Sequence, residues 1–185
     1  RVVPKYREFL ERYPTIEALA KAKTAQLRQT WSPLGYNVRP LRLRRIAQQI
    51  WRNRKGCIPD SYDGLVAMEG VGRYTAGAVL SFAFKKDAPI VDTNVARLLS
   101  RYFWKHRATT RTPATTPSTH REQHRRLWQL AEAVIPTGQG YLINQAMMDL
   151  GAMVCTAKTP RCPICVLRHS CSSFPLNPPR MSKQA

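Results

Sequence analysis

Apolar residues recur along the chain at the i, i+3, i+4, i+7 spacing of one helix face. The segments with this spacing lie at 43–51, 76–84, 95–103, 127–135 and 142–150. Runs that alternate apolar and polar residues, the signature of half-buried strands, are not convincing anywhere. Because each apolar face must be buried against another element, the pattern predicts an all-α globular protein.

One stretch departs from this pattern. Residues 104–126 are basic and contain six threonines and two prolines, a composition typical of a loop. The loop is either a solvated linker between two helical lobes or a segment that contacts a partner directly. His120 and His124 have helical spacing, but the arginines beside them disfavour a metal ion. The tail at 172–185 is expected to be flexible.

The charge balance indicates the class of partner. The chain has 185 residues, of which 43% are hydrophobic, so it can bury a core without disulfide bonds. Its 30 Lys and Arg residues against 11 Asp and Glu residues give a net charge of +19. Nucleic acid is the first candidate for an anionic partner that offsets this excess. No apolar run reaches the roughly 20 residues of a membrane span, and the first residues do not resemble a secretory signal.

Four of the five cysteines are clustered, at positions 155, 162, 165 and 171. An odd number of cysteines, most of them in one short segment, disfavours a set of disulfides and indicates metal ligation in a reducing compartment. The spacing contains only one close pair, Cys162 and Cys165, whereas a zinc ribbon usually has two. It therefore favours a four-iron cluster with one thiolate per iron, with zinc as the alternative. Cys57, outside the group, is expected to pack as a small hydrophobic residue.

The sequence Gly70-Val71-Gly72-Arg73 predicts a tight turn between two helices. A short helix is expected to end at Gly70, and a second is expected to begin near Arg73. Free N–H groups at the start of the second helix would form a pocket for one phosphate of a DNA backbone. An ordinary turn between two helices is the alternative. Upstream lies a group of arginines that either contact phosphate or form a solvated basic face: Arg39, Arg42, Arg44 and Arg45.

Downstream of this turn, two apolar residues precede a carboxylate at an expected helix start, in the sequence Ile90-Val91-Asp92-Thr93-Asn94-Val95. One interpretation is that Asp92, Thr93 or Asn94 caps the helix at 94–103. The other is that Asp92 stabilises a positive charge that develops on a substrate. The spacing alone leaves both open.

Three segments together resemble a known superfamily. Residues 70–77 (GVGRYTAG) and 91–97 (VDTNVAR) resemble the helix-hairpin-helix DNA glycosylases that include endonuclease III. Residues 144–155 (NQAMMDLGAMVC) resemble the A/G-specific adenine glycosylase branch, and the cysteine spacing matches the four-iron cluster of the superfamily. The segment at 34–39 (LGYNVR) also resembles a family motif. The likeness runs from about residue 1 to 171, with a gap at the Thr/Pro-rich loop.

The resemblance implies a two-lobed helix-hairpin-helix DNA glycosylase domain at 1–171, with a C-terminal iron–sulfur loop. A six-helix-type lobe would span 27–103 and contain the hairpin at 65–84. Residues 1–26 and 127–171 would form the cluster lobe, and 104–126 would be the basic loop. A flipped base would lie between the lobes, because the glycosidic bond cannot be reached inside the stack.

The resemblance also implies roles for individual residues. Asp92 would be the catalytic carboxylate, and Tyr74 would replace the lysine with which lyase-competent relatives form a Schiff base. The turn would bind DNA, and the clustered thiolates would hold a 4Fe-4S cofactor. The DNA-binding residues are Gly70, Val71, Gly72, Arg73, Tyr74 and Thr75, and the cluster ligands are Cys155, Cys162, Cys165 and Cys171.

The implied function is a monofunctional, water-using DNA N-glycosylase of base excision repair that removes adenine mispaired with guanine or 8-oxoguanine. Its partner would be mismatched or damaged double-stranded DNA, and it would act as a cytoplasmic, nucleoid-associated monomer. Two departures stand out. The helix with the acid that protonates adenine would lie before Arg1, so the domain is expected to be incomplete, and Thr93 stands where many relatives have glycine. A thymine or uracil mismatch glycosylase and a non-catalytic DNA-binding module are the alternatives.

Overall fold

The structure, a computed structural model, describes residues 2–35, 38–104 and 120–175. Most of the Thr/Pro-rich loop, most of the tail, part of the segment at 34–39 and the side chain of His120 lie outside these residues. The described residues contain helices and no strand, so the all-α prediction is confirmed.

Nine α-helices form the framework of the described residues: α1 Val2–Arg12, α2 Ile16–Lys21, α3 Thr24–Trp31, α4 Arg39–Arg54, α5 Tyr62–Val66, α6 Arg73–Ala78, α7 Thr93–Phe103, α8 His120–Ala133 and α9 Gly140–Asp149. Two helices widen into π turns at their carboxyl ends, α6 at Val79–Ala83 and α9 at Leu150–Val154. None of the helices in the described ranges is both long and apolar enough to span a bilayer.

The chain divides into two compact units, Arg1–Ala76 and Gly77–Ala185. The boundary falls inside the hairpin expected at 65–84, so these units do not coincide with the two lobes of the sequence analysis. Those lobes stay a prediction.

The core of the first unit forms where α2 and α3 pack on α4. Leu19, Ala20, Leu27 and Ala47 are buried there, with Phe9, Tyr13, Ile16 and Leu43 around them. The start of α2 is stabilised by Thr15, whose side-chain oxygen accepts a hydrogen bond from the N–H of Ala18 at 3.1 Å. This packing holds α4, the longest helix described, in a defined orientation.

The core of the second unit forms around α7, which packs against α8, α9 and the start of the cysteine loop. Its buried residues are Val95, Leu98, Leu99, Ala131, Met147 and Cys155. The apolar spacing at 95–103 and 142–150 predicted both helices of this contact. Because Cys155 belongs to the core, hydrophobic burial anchors the start of the cysteine loop at 155–171.

Candidate functional site

The turn before α6 is built on one buried residue between two exposed glycines. Val71 is buried, and its N–H donates a hydrogen bond to the carbonyl of Met68 at 3.1 Å. Gly70 has φ of +82°, a conformation that side chains with a Cβ rarely adopt. The Cβ of a residue at position 72 would meet nothing within 4 Å. The buried Val71 therefore anchors a turn whose backbone faces open space at Gly72.

The preceding helix is shorter than the sequence suggested. The prediction ended it at Gly70, but α5 ends at Val66 and the turn extends over 67–72. The N–H of Ala67 still donates to the carbonyl of Asp63, four residues back. The N–H of Met68 donates to the carbonyl of Leu65, only three residues back, so the last hydrogen bond has the tighter 3-10 spacing. Burying the side chains of Met68 and Val71 stabilises this conformation more than the hydrogen bonds of one further helical turn would. The predicted start of the second helix at Arg73 is confirmed.

The start of α6 exposes backbone donors. Its first intrahelical hydrogen bond runs from the N–H of Ala76 to the carbonyl of Gly72 at 2.9 Å. The N–H groups of Tyr74 and Thr75 therefore lie outside the helical ladder, and both residues are exposed. Donors at a helix start, beside a guanidinium, can bind an anionic oxygen group.

Asp92 caps α7, as the first interpretation of its position predicted. Its Oδ1 accepts a hydrogen bond from the N–H of Val95 at 2.7 Å, and its Oδ2 accepts one from the Asn94 side chain at 3.2 Å. The side chain is only half-buried. A carboxylate oxygen accepts about two hydrogen bonds, so each oxygen retains capacity for a substrate. Capping therefore fixes the orientation of the carboxylate and leaves each oxygen able to accept a further hydrogen bond.

Two arginines of α7 bond the backbone around Cys155, and one of them, Arg97, also bonds the Asn94 side chain that donates to Asp92. Arg97 donates to the Asn94 side chain at 2.9 Å and to the carbonyls of Gly151 and Cys155 at 2.6 and 2.8 Å. Arg101 donates to the carbonyl of Thr156 at 2.7 Å. Sequence analysis missed both residues. The available signal was their i, i+4 spacing beside an otherwise apolar face, because a partly buried guanidinium requires several acceptors.

The backbone just before Asp92 is held by the amide of Asn144, which is completely buried in α9. Its Oδ1 accepts a hydrogen bond from the N–H of Ile90 at 3.2 Å. Its Nδ2 donates to the carbonyl of Ala88 at 2.8 Å and to Ser81 Oγ at 3.0 Å. The side chain thus pairs with the extended segment 88–90 and with the π turn after α6. Both protons of the amide are used, so its orientation is determined.

Three glycines let the backbone approach this segment closely. A Cβ at Gly77 would lie 2.3 Å from the carbonyl oxygen of Pro89. One at Gly140 would lie 2.7 Å from the Cα of Asp87, and one at Gly151 would lie 2.9 Å from the carbonyl oxygen of Asn94. Any side chain at these positions would displace the segment that carries Asp92.

The clustered cysteines come together in the structure. None of them forms a disulfide, and the four thiols line one small cavity with apolar walls and two arginines. The cysteines are Cys155, Cys162, Cys165 and Cys171, and the arginines are Arg101 and Arg168. Arg101 lies 3.5 Å from the sulfur of Cys155, where it would offset thiolate charge. Cys57, by contrast, is exposed, so the expectation that it packs in a core was wrong.

The described residues contain no group of three His, Cys, Asp or Glu side chains placed to hold a metal ion. A four-iron cluster has a different requirement, because each thiolate binds a separate iron and the thiolates stand further apart. A donor set of four free cysteines around one cavity fits such a cluster.

The comparisons with known proteins agree with this fold. The HhH-GPD superfamily base excision DNA repair protein model matches residues 1–138. The chain belongs to this superfamily.

The similar curated proteins are adenine DNA glycosylases. One from Mycobacterium tuberculosis is 39% identical over 168 residues, which cover 90% of this chain and 52% of the relative. One from Buchnera aphidicola is 31% identical over 173 residues, which cover 94% of the chain and 46% of the relative. One from Mus musculus is 35% identical over 174 residues, 94% of the chain and 32% of the relative. The chain thus spans about half, or less, of these relatives.

Solved structures agree on the fold. A thermostable thymine-DNA glycosylase superposes with a TM-score of 0.80 at 28% identity, over 92% of this chain and 75% of its own. A trapped complex of endonuclease III with DNA superposes with a TM-score of 0.73 over 91% of this chain and 73% of its own. At 24% identity, the second comparison supports the fold alone. The helix-hairpin-helix glycosylase fold implied by the sequence motifs is confirmed.

Proposed function

We propose that the chain is the glycosylase domain of a monofunctional adenine DNA glycosylase. It would hydrolyse the N-glycosidic bond of a flipped adenine that is mispaired with guanine or 8-oxoguanine. Identities of 31 to 39% to adenine DNA glycosylases over at least 90% of the chain support this substrate. The observation that carries the reaction is the half-buried Asp92 carboxylate, oriented by two hydrogen bonds and still able to accept others.

The carboxylate would act on the sugar. As the base departs, positive charge develops on the sugar ring, and a fixed negative charge beside it lowers the energy of the transition state. Because Val95 and Asn94 already hold the carboxylate, little reorganisation is needed at the moment of reaction. A carboxylate in this position can also orient the attacking water.

The turn would bind one phosphate of the DNA backbone. The N–H groups of Tyr74 and Thr75 would donate to its oxygens, and Gly72, where an added Cβ would meet nothing within 4 Å, would let the DNA backbone approach closely. Contacts of this kind position the duplex and carry little sequence information.

Tyr74 would make the enzyme monofunctional. A phenol cannot form the imine that a lysine amine forms with the sugar carbon. Hydrolysis by water should therefore leave an intact abasic strand.

The four cysteines would hold a 4Fe-4S cluster, which when bound would fasten the loop at 155–171. The cavity that they line, with Arg101 beside Cys155, supports this assignment. The purified protein should be brown and contain about four irons per chain. A colourless protein that contains zinc would contradict the assignment.

The acid that protonates the departing adenine is assigned to neither Glu8 nor Glu11. A general acid at neutral pH works best with a raised pKa. The hydrogen bond from Lys5 instead lowers the pKa of Glu8; desolvation opposes it, and the charges of Lys5 and Arg12 lower the pKa further. Glu8 is thus unsuited to the role.

The substrate is tested by base release. The protein, with any residues that its gene encodes before Arg1, is incubated with duplexes that contain A·G, A·8-oxoguanine, T·G or U·G pairs. Adenine release without strand scission is expected. Release of thymine or uracil would favour the second candidate, which the similarity to the thymine-DNA glycosylase supports. If the protein binds these duplexes but releases no base from any of them, the proposed activity is contradicted.

The remaining proposals concern the form in which the protein acts. Mismatched double-stranded DNA would be its partner, and it would bind as a monomer in an intracellular, reducing compartment near the nucleoid. Sedimentation of the protein with and without a duplex measures the stoichiometry directly.

A further inference from the structure

Helix α4 carries a row of basic residues that the phosphate-binding turn alone does not explain. The helix contains six arginines and no acidic residue in Arg39–Arg54. At about 100° per residue, Arg42, Arg45 and Arg52 fall within an arc of about 80° on one side of the helix. They extend along about 15 Å of its axis. A DNA strand carries one charge per about 3.4 Å of duplex axis, so three guanidinium groups spread over this length can contact neighbouring phosphates of one strand.

The arginine row lies directly beside the turn. The Cδ of Arg42 is 3.6 Å from the position that a Cβ would occupy on Gly70. An open polar groove of about 700 Å³ runs between α4 and the turn, and its lining includes Arg45, Arg52 and residues 66–71. Gln49 fastens the two walls, since its Oε1 accepts a hydrogen bond from the N–H of Glu69 at 3.3 Å.

An acidic side chain of the turn already engages this row. Glu69 Oε1 lies 3.0 Å from Arg45 Nη1, and the two side chains are 70% and 61% exposed. An ion pair so exposed is weak and is further screened by salt. A phosphate that enters the groove can therefore replace the Glu69 carboxylate as the partner of Arg45.

We propose that Arg42, Arg45 and Arg52 form a second DNA-backbone contact beside the turn, and that Glu69 competes with DNA for Arg45. This inference rests on the proposed function and extends it to further phosphates of the bound strand. It gives Glu69 the role of weakening the grip on DNA. A glycosylase that searches a long duplex must release undamaged sites, and an internal competitor for one phosphate contact makes release faster.

The test is equilibrium binding of the chain to an undamaged duplex across a range of salt concentrations. Arg42→Ala should weaken binding about 5–10-fold at 0.1 M salt and should reduce the slope of log K against log salt by about 0.9. Arg54→Ala is the matched control, because it removes the same charge from the same helix but points about 180° away from Arg45. Equal losses for the two variants would overturn the proposal and leave only general electrostatic attraction.

The competitor is tested by a double-mutant cycle. Glu69→Gln should strengthen binding about threefold or more, and Arg45→Ala should weaken binding more when it is combined with Glu69→Gln than in the original chain. Additive effects would show that Glu69 does not compete for Arg45. Circular dichroism of each variant checks the fold. Because the duplex is undamaged, this result does not depend on base release, so failure of the glycosylase assay would be distinguishable.

Discussion

The segment that carries Asp92 and the turn at 67–72 are held in opposite ways. Asn144 and Arg97 bond the first, and Asp87, just before it, accepts hydrogen bonds from the N–H groups of Gly138 and Gly140. Three glycines also allow close backbone contacts around this segment. The turn is anchored by Val71, while the glycines on either side of it are exposed. A carboxylate that stabilises a transition state must be positioned accurately, whereas a surface that grips a DNA backbone must stay accessible. Stability and binding should therefore respond differently to substitution in the two regions.

The largest effect is expected for Asp92→Asn. Asparagine caps a helix about as well as aspartate, so the fold should persist and the melting temperature should change little. Loss of the negative charge should slow adenine release about 10²–10³-fold. Single-turnover assays, on protein that contains any residues encoded before Arg1, measure this rate. Unchanged release by a well-folded variant would remove Asp92 from the mechanism.

Asn144→Ala should give the next largest effect. It leaves the N–H of Ile90 and the carbonyl of Ala88 buried without partners, at a cost of about 3 kcal/mol of unfolding free energy. The melting temperature should fall by about 6–12 °C. Gln145→Ala, one position further along the same helix, is the control and should shift it by less than about 2 °C. Equal shifts would mean that the buried amide does not hold the Asp92 segment.

Gly77→Ala tests close packing in the same region. The added methyl group would lie 2.3 Å from the Pro89 carbonyl oxygen, and the displacement should cost about 1–3 kcal/mol of unfolding free energy. Chemical denaturation measures this cost. A variant as stable as the original would show that the backbone around Pro89 yields easily.

Gly72→Ala should have the smallest effect on stability, about 0.5 kcal/mol or less, because nothing lies within 4 Å of the added methyl group. Duplex binding should nevertheless weaken severalfold, since the methyl group stands where a phosphate would approach the backbone. The same denaturation and binding assays, run beside Gly77→Ala, make the comparison direct. If Gly72→Ala binds DNA as tightly as the original chain, the turn is not the phosphate site.

Local features of the sequence were sufficient to predict helices at 43–51, 95–103, 127–135 and 142–150 and to nominate the separate candidate sites. The apolar spacing at 95–103 predicted α7, and the glycines at 70 and 72 predicted a turn before Arg73. The end of α5 was placed four residues too late, because its position depends on burial of Met68 and Val71 and not on the glycine. The spacing of the cysteines predicted that they would act together, and the four thiols do line one cavity.

Helical periodicity and the spacing of cysteines and glycines are local properties, so the fold class, the turn and the cysteine group could be predicted from the sequence alone. The contacts that hold the segment around Asp92 could not, because they join residues far apart in the chain. Arg97 reaches carbonyls 54 and 58 residues away, and Asn144 bonds Ile90 across 54 residues. Such contacts depend on how α7 and α9 pack, because a buried polar group takes whichever partners the packed backbone presents.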